Sequence, residues 1–453
     1  MKNIFKLYLL TAILFFGSSC SNWIDSELNV DPNNPAEVSI NTLLPSSMSS
    51  FAYVLGGDYG RYTNIWTQHL AGVDRQHLAY DEYQITESDV DNAWNSMYAT
   101  TLQDLKVVLD KASASNSPHY AGVAKIMTAM ALGTLVDLHN DIPYSAAFQG
   151  ASEIHPAYDK ADQLYLKMQT MLAEAVDNLG ETASTFKPGS DDIIFGGNKA
   201  KWIATANTLR ARYALRLSKI DNNAAATALG YIDEGGIGSA ADDCVVRFGA
   251  TATNANPWFQ FEDQRGDVVM GKFFVDLLVN TNDPRAGLFA ADPSAGGSPA
   301  GIPNADASRF GAFYASSDSY VPLVTFAESK FIEAEAAFRT NNATRAATAF
   351  NDGVKGALAA VGASDAAYEA ANANETAATI SLEKILTQKY IALYTQPESF
   401  ADWRRTGIPN IPLADGQTKF PRRFPYPQSE RLYNSPNYIS GVTAFDRVFW
   451  DVE

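Results

Sequence analysis

The side chains between residues 66 and 83 are of the types that recognise a sugar ring. Trp66, Tyr80 and Tyr83 supply aromatic faces, and Asp74 and Arg75 stand between them in the sequence. The CH groups of a sugar stack on an indole or a phenol, while carboxylates and guanidinium groups hydrogen-bond its hydroxyls. A core helix would not normally hold so many polar groups beside its rings. These five residues are therefore candidates for ligand contact, and ordinary packing is the alternative, above all for Trp66.

A second aromatic segment, residues 254–261, holds three rings within four positions. It shows neither a helical nor a strand alternation that would bury all three rings, so we expect at least one ring to face solvent. We predict that Trp258 and Phe259 form a stacking platform, again with packing as the alternative. Three other tryptophans have helical contexts and are predicted to lie in the core: Trp94, Trp202 and Trp403.

The residue types that carry most enzyme chemistry are poorly placed in this chain. Its five histidines include no pair at the spacing of a helical zinc site. Cys244 has no partner thiol and is predicted to be a packed small hydrophobe. We therefore predict no catalytic residues, no metal site and no cofactor. Paired carboxylates could hydrolyse a glycoside, but with 51 acidic residues that criterion does not discriminate, so a surface hydrolase stays an alternative that requires two carboxylates facing each other in a cleft.

The charge of the chain restricts its partners. The formal net charge is -17, and no cluster of lysine and arginine exceeds an Arg-Arg pair. Nucleic-acid binding needs clustered cations that displace counterions from phosphates. We therefore exclude nucleic acid as a partner and expect neutral ligands.

The N-terminus has the features of a bacterial lipoprotein signal. Lys2 and Lys6 precede an apolar run over residues 7–16, and small residues lead to Cys20. The run is shorter than the roughly 20 residues that cross a bilayer. We predict a signal peptide over residues 1–19, lipidation of Cys20 and a tether over residues 20–39. The alternative is an ordinary secretory signal.

The elements that must position these residues are helical. One apolar stripe is typical of a helix with a buried face, and its members are Trp202, Ala206, Leu209, Tyr213 and Leu217. We predict that the three arginines of the same helix, Arg210, Arg212 and Arg216, lie on its remaining surface.

Small residues and phenylalanines alternate over residues 327–338 and 343–358, with a turn at Asn341-Asn342. This pattern is typical of tetratricopeptide helix pairs, in which a ring fills the gap between close helices. We predict an all-α fold of helix pairs over about 88–138, 158–219 and 325–396, with a short helix near 224–234. Long irregular segments over 250–274 and 284–322 would form binding loops, and residues 408–450 an irregular wrap.

Several separate stretches resemble one family, the SusD-like (SusD/RagB) glycan-binding lipoproteins of Bacteroidetes-type bacteria. They follow the order of the family's motifs over nearly the whole chain. The stretches are Cys20 to Asp25 with the Asp-Pro-Asn-Asn-Pro after it, Asp141-Ile-Pro-Tyr-Ser145, Trp202 to Ser218, Asn282 to Arg285, Glu333 to Ala337, Gln388 to Tyr394, Asp402 to Pro409 and Pro421 to Glu430.

The resemblance implies a single all-α body over residues 40–453 and no catalysis. Proteins of this family are lipid-anchored, through acyl chains such as palmitate, at the extracellular face of the outer membrane. They form the lid of a SusC-like TonB-dependent transporter and capture oligosaccharides or, in some members, peptides. We predict a glycan ligand, with a peptide as the alternative. The ligand contacts of the family differ among members, so none is transferred to this chain.

Overall fold

Helices make up most of residues 38–453, the part of the chain that the computed structural model describes. In chain order the helices are α1 (Ile40–Leu55), α2 (Asp58–Trp66), α3 (Arg75–Asp81), α4 (Asp91–Ser96), α5 (Gln103–Ala114), α6 (Pro118–His139), α7 (Ala161–Gly180), α8 (Lys199–Arg216), α9 (Ala224–Asp233), α10 (Pro257–Gln264), α11 (Lys272–Asn280), α12 (Ala286–Phe289), α13 (Ala312–Ala315), α14 (Phe326–Arg339), α15 (Ala343–Ala360), α16 (Ala366–Asn372), α17 (Leu382–Ala392), α18 (Glu398–Thr406) and α19 (Gln428–Tyr433). A π-helical turn over Met97–Leu102 leads into α5.

The strands described form three two-stranded antiparallel ladders. They are β1 (Leu70–Gly72) with β5 (Val268–Met270), β2 (Ile142–Pro143) with β3 (Tyr158–Asp159), and β4 (Cys244–Arg247) with β6 (Tyr320–Val324). The predicted signal peptide, the lipidation site Cys20 and the tether up to residue 37 lie outside the described residues.

Consecutive helices pack against each other along the chain. Helix α5 packs on α6, α6 on α7, α7 on α8, and α14 on α15. The prediction of an all-α fold built from helix pairs is confirmed, and so is the short helix near 224–234, which is α9.

The α14–α15 pair shows the expected packing of small residues against rings. A Cβ atom on Gly353 would lie 3.0 Å from the Phe331 ring, and one on Gly356 would lie 2.6 Å from the Phe326 ring. Between the helices, Asn341 has a φ of +61°, and the Asn342 side chain accepts a hydrogen bond from the Arg345 N–H at 3.1 Å. The predicted turn is therefore made of Asn341, which has a left-handed backbone conformation, and Asn342, which caps the start of α15.

One hydrophobic cluster extends from Leu43 to Trp450. The irregular wrap over 408–450 packs onto it as predicted, although it contains α19, and the Trp450 indole N–H donates to Asp137 at 2.8 Å. Among residues 38–453, α6 alone is long and apolar enough to cross a bilayer, but 83% of its apolar window is buried inside the protein. Helix α6 is therefore a core helix of the protein.

The segment over 250–274 is more regular than predicted. It contains α10 and β5, because local signals for a helix start outweigh its irregular hydrophobic pattern. The Asn256 side chain accepts from the Trp258 N–H at 2.8 Å and the Phe259 N–H at 3.3 Å, and Pro257 occupies the first turn of α10.

The prediction that the arginines of α8 lie on its surface is wrong for two of them. Arg212 and Arg216 are 9% and 1% exposed, because carboxylates from distant helices pair with them. Arg212 donates to Glu328 at 2.6 Å, and Arg216 pairs with Glu398. Arg210 remains at the edge, where it pairs with Glu234.

The ion pairs of Arg212 and Arg216 belong to a larger set of buried ion pairs, which we call the buried charge network. A further part of this network joins α14 to α18. Arg405 donates to Glu335 at 2.7 Å and to Asp402 at 2.9 Å, and Lys389 pairs with Asp402 at 2.5 Å. Burial alone would raise the pKa values of Glu335 and Asp402, but the adjacent cations outweigh it and hold both below their usual range. The network therefore stays ionised and links helices that are far apart in the sequence.

Asp81 ties the irregular segment over 284–322 to β1, and it gives a pH-dependent prediction. Its carboxylate accepts from the Gly301 N–H at 2.6 Å and the Gly72 N–H at 3.3 Å. Burial raises the pKa of Asp81 to about 7, although both hydrogen bonds oppose the shift. The folded state therefore holds a proton that the unfolded state releases near pH 4, so stability is lost as pH rises from about 4 to about 7.

We expect Asp81→Asn to remove this loss. The free energy of unfolding of the variant minus that of the parent protein should be a few kcal/mol larger at pH 8 than at pH 5. This follows because each unit of pKa shift corresponds to roughly 1.4 kcal/mol. Urea denaturation at both pH values measures the change. The exposed Asp306→Asn of the same segment is the control, and an equal pH response in the two variants would contradict the prediction.

Candidate functional site

Two rings of the first aromatic segment lie in the core. Trp66 is 0% exposed and Tyr80 is 3% exposed. The Trp66 indole N–H donates to the Tyr80 carbonyl at 3.1 Å, and its ring packs 5.0 Å from that of Phe424. The Tyr80 hydroxyl donates to Asp89 at 2.7 Å. The expectation that these rings are exposed for stacking is wrong.

The same correction applies to Tyr83 and Trp258, which are 3% and 2% exposed. The Tyr83 hydroxyl accepts from the Ala414 N–H at 3.0 Å. Trp258 packs 5.7 Å from Phe310, because the second position of α10 faces inward. Phe259, the next residue, is half-buried.

Asp74 and Arg75 are both exposed at the start of α3. The Asp74 side chain caps this helix by accepting from the Arg75 N–H at 2.8 Å. The Arg75 guanidinium donates to Asp267 at 2.8 Å. These two side chains remain accessible, but they already have partners within the protein.

An open cleft of about 320 Å³ lies where α1, α2, α4 and α10 meet. We call it the Tyr53 cleft. Its walls carry the rings of Tyr53 and Phe261. Its polar lining consists of Ser50, Asp58, Arg61, Asn92, Ser96, Gln260 and Gln264. Its volume is at the lower end of the range for small-molecule sites.

Hydrogen bonds hold one wall of the cleft in place. The Tyr53 hydroxyl donates to the Ala255 carbonyl at 2.8 Å and accepts from the Gln260 amide at 2.8 Å. The Gln260 amide also donates to the Ala255 carbonyl at 2.7 Å. The Tyr53 ring is thus fixed at its polar end, as a preorganised contact surface requires.

The charged groups of the cleft neutralise each other. Asp58 and Arg61 form an ion pair one helical turn apart on α2. The Arg61 guanidinium lies 4.4 Å from the centre of the Phe261 ring. Within the described structure, the buried Arg61 Nε has no hydrogen-bond partner.

His77 supports Phe261 from behind the cleft. The two rings are 4.9 Å apart at 64°, and His77 Nδ1 lies 3.3 Å from Asp267. Burial lowers the pKa of His77 to about 4, and Arg61 adds to the effect, although Asp267 opposes it. His77 is therefore neutral at physiological pH. It connects the cleft to Asp267, the partner of Arg75.

The corner between α1 and α2 sets the width of the cleft. A Cβ atom on Gly56 would lie 2.7 Å from Pro257, so glycine is needed for α10 to approach this closely. At Gly57 a Cβ atom would lie 2.3 Å from the Tyr53 carbonyl oxygen. Gly56 therefore lets α1 and α10 come together, and Gly57 lets the backbone turn closely past the end of α1.

The described lining of the cleft is suited to binding and does not hold the carboxylate pair of a glycoside hydrolase. Of the described residues that line the cleft, Asp58 alone carries a carboxylate, whereas glycoside hydrolysis takes two carboxylates about 5–9.5 Å apart. No group of three or more metal-ligating side chains occurs within residues 38–453. A separate cavity of about 40 Å³ beside Asp137 and Arg212 has room for little more than water.

Three residues of the Tyr53 cleft, Pro257, Gln260 and Phe261, fall in the second aromatic segment, but none of the residues that line the cleft was predicted as a ligand contact. One signal was available, the Gly56-Gly57 pair before Asp58 and Arg61. Adjacent glycines mark a close approach of the backbone, and charged residues directly after such a corner face the neighbouring element. The opposite wall, on α10, is about 200 residues away in the sequence.

Comparisons with known proteins agree on one family. The SusD-like_2 family model, described as "Starch-binding associating with outer membrane", matches residues 32–427. No curated protein matches the chain. Among solved structures, a chitin-binding protein is 23% identical with a TM-score of 0.79, and the match covers 92% of this chain and 100% of that chain.

Two further structures show the same fold. A SusD/RagB family protein from Bacteroides thetaiotaomicron is 22% identical with a TM-score of 0.77, over 92% of this chain and 99% of that chain. A chitin-binding SusD homologue from Flavobacterium johnsoniae is 24% identical with a TM-score of 0.75, over 91% of this chain and 97% of that chain. At these identities the likeness concerns the fold.

Proposed function

The chain belongs to the SusD-like family of starch-binding proteins associating with the outer membrane, and on this premise we propose that it captures an oligosaccharide in the Tyr53 cleft. The observation that carries the proposal is the lining of this cleft, in which amides and a neutralised ion pair stand beside the rings of Tyr53 and Phe261. Rings supply contact for the CH groups of a sugar, and amides bind its hydroxyls.

A neutral glycan suits the cleft best. Because Asp58 and Arg61 neutralise each other, an acidic or basic ligand would leave its charge without a counterion there. The family model is described as starch-binding, and two of the similar structures are named chitin-binding. Maltooligosaccharides and chitooligosaccharides are therefore the first ligands to test.

The remainder of the proposal concerns where the protein acts. A lipid on Cys20 would anchor it at the extracellular face of the outer membrane, and it would close a SusC-like TonB-dependent transporter as a lid without catalysing a reaction. The sequence of residues 1–20 and the match to an outer-membrane family support this. Phe259, which precedes the cleft residue Gln260 on α10, and the exposed Asp74 and Arg75 are proposed as outer contacts for longer chains.

The double variant Asn92→Ala/Gln264→Ala tests the cleft. Both side chains are exposed, so their loss should leave the free energy of unfolding nearly unchanged. The loss of each amide removes a hydrogen bond to a sugar hydroxyl that is worth about 1 kcal/mol. We therefore expect the affinity to fall by about tenfold or more. Isothermal titration with the two oligosaccharide series measures the affinity.

The exposed Asn374→Ala, on the loop before α17, is the matched control and should bind as the parent protein does. Unchanged affinity in the double variant would exclude the Tyr53 cleft as the binding site. If the parent protein bound peptide mixtures and no glycan, the peptide alternative would replace the proposal. Release of reducing ends from polysaccharide would show a hydrolase.

A further inference from the structure

We infer that a second cavity, separate from the Tyr53 cleft, binds a saccharide unit that carries an anionic group. This cavity of about 190 Å³ lies on α6 between α5 and α7, and residues 144–148 border it. We call it the Lys167 cavity. The lining residues that matter to the argument are Lys106, Thr128, Tyr144, Ser145, Phe148 and Lys167. The Lys167 cavity and the Tyr53 cleft share no lining residue.

The aromatic wall of the Lys167 cavity is fixed before any ligand binds. Tyr144 and Phe148 are half-buried, with ring centres 6.4 Å apart at 71°. Phe148 stacks on Tyr98 at 6.0 Å and 19°. The Asp159 carboxylate accepts from the Tyr144 N–H at 2.9 Å and the Ser145 N–H at 2.7 Å. These contacts hold the segment that presents both rings.

The backbone at Phe148 is strained. Its φ of +64° lies in the left-handed region, which bulky residues rarely adopt. Such strain is concentrated at binding and catalytic sites. A phenylalanine kept in this conformation at the edge of a cavity indicates that the position of its ring matters.

Two ammonium groups give the Lys167 cavity its charge preference. Lys106 enters from α5 and Lys167 from α7, on either side of α6. Lys106 pairs with Asp110 at 2.6 Å. Lys167 forms no ion pair with any residue of 38–453, and its Nζ lies 5.2 Å from the centre of the Tyr144 ring. A lysine without a carboxylate partner, placed against the Tyr144 ring, favours an anion at this position although the chain as a whole is acidic.

The size and the lining together define the ligand class. A volume of about 190 Å³ is below the range of roughly 300–1,000 Å³ for drug-sized ligands, so it suits one sugar unit. The rings would contact its CH groups, and the ammonium groups would donate to a carboxylate or a sulfate. A uronic acid and a sulfated sugar share this chemistry.

Titration of the full-length mature protein with glucuronic acid, glucose 6-sulfate and glucose tests the inference. We expect one or both acids to bind and glucose to bind at least tenfold more weakly; the two acidic arms distinguish carboxylate from sulfate. Lys167→Met keeps the apolar stem and should weaken acid binding by about tenfold, as the loss of one charge-assisted hydrogen bond predicts. Lys106→Met should weaken it as well.

Lys272→Met removes an exposed, ion-paired lysine of α11 and should bind acid as the parent protein does. Equal binding of glucose and the acids, no binding of either acid, or unchanged acid binding in Lys167→Met would each overturn the inference. Loss of acid binding in Asn92→Ala/Gln264→Ala with retention in Lys167→Met would place the acid in the Tyr53 cleft and overturn it too.

Discussion

Replacing Glu335 by alanine is expected to lower the free energy of unfolding by about 3–5 kcal/mol. The Glu335 carboxylate is buried between Arg405 at 2.7 Å and Arg339 at 2.7 Å. Without it, the buried Arg405 would depend on Asp402, which already pairs with Lys389. A buried guanidinium with too little negative charge around it is costly because the interior solvates it poorly. Urea denaturation of both proteins at pH 7 measures the difference.

Asp110→Ala breaks an exposed ion pair with Lys106 and is the control, with an expected loss below about 1 kcal/mol. The pKa values of Glu335 and Asp402 are lowered in the folded protein. Their stabilising contribution is therefore complete above pH 5 and is lost as pH falls through about 4 and below. Similar stability losses in the Glu335 and Asp110 variants would contradict the role of the buried charge network.

Replacing Trp66 by alanine is expected to lower the free energy of unfolding by about 3–5 kcal/mol, the usual cost of removing a large core side chain. Trp66 is fully buried, and its ring lies 5.4 Å from Phe400 and 5.0 Å from Phe424. The variant also leaves the Tyr80 carbonyl without its indole donor. Thermal and urea denaturation measure the loss.

Glycan affinity separates the two interpretations of Trp66. Because the ring does not reach the Tyr53 cleft, the folded fraction of Trp66→Ala should bind oligosaccharide as the parent protein does. Phe259→Ala, at a half-buried position, should lower the free energy of unfolding by less than Trp66→Ala does. It is the comparison for the stability measurement. A stable Trp66→Ala protein that no longer binds glycan would instead restore the original stacking hypothesis.

The sequence predicted those parts of the fold that depend on neighbouring residues. The turn at Asn341-Asn342 and the packing of small residues against phenylalanines between α14 and α15 follow from local signals, and both are present. The burial of Arg212 was not predictable in this way, because its partner Glu328 is 116 residues away. The sequence pattern of a helix does not show whether an arginine is exposed to water or buried against a carboxylate.

The binding site was harder to predict, for a related reason. The polar residues Asp74 and Arg75 suggested ligand contact, but many polar side chains of this stretch bind other parts of the protein. Asp74 caps α3, Gln68 donates to the Pro412 carbonyl, and Asp81 accepts from Gly301. A polar group that satisfies the backbone and one that binds a sugar cannot be told apart by residue type. The Tyr53 cleft exists only because α1 and α10 meet.

The open side of the Tyr53 cleft has a kinetic consequence. No segment of the described chain closes over this cleft, so a saccharide held there could depart without waiting for a loop to open. Residence times should then be short, since no conformational step precedes escape. For the proposed role of passing a sugar to a transporter, rapid exchange is an advantage, and line broadening of the sugar's NMR signals would reveal it.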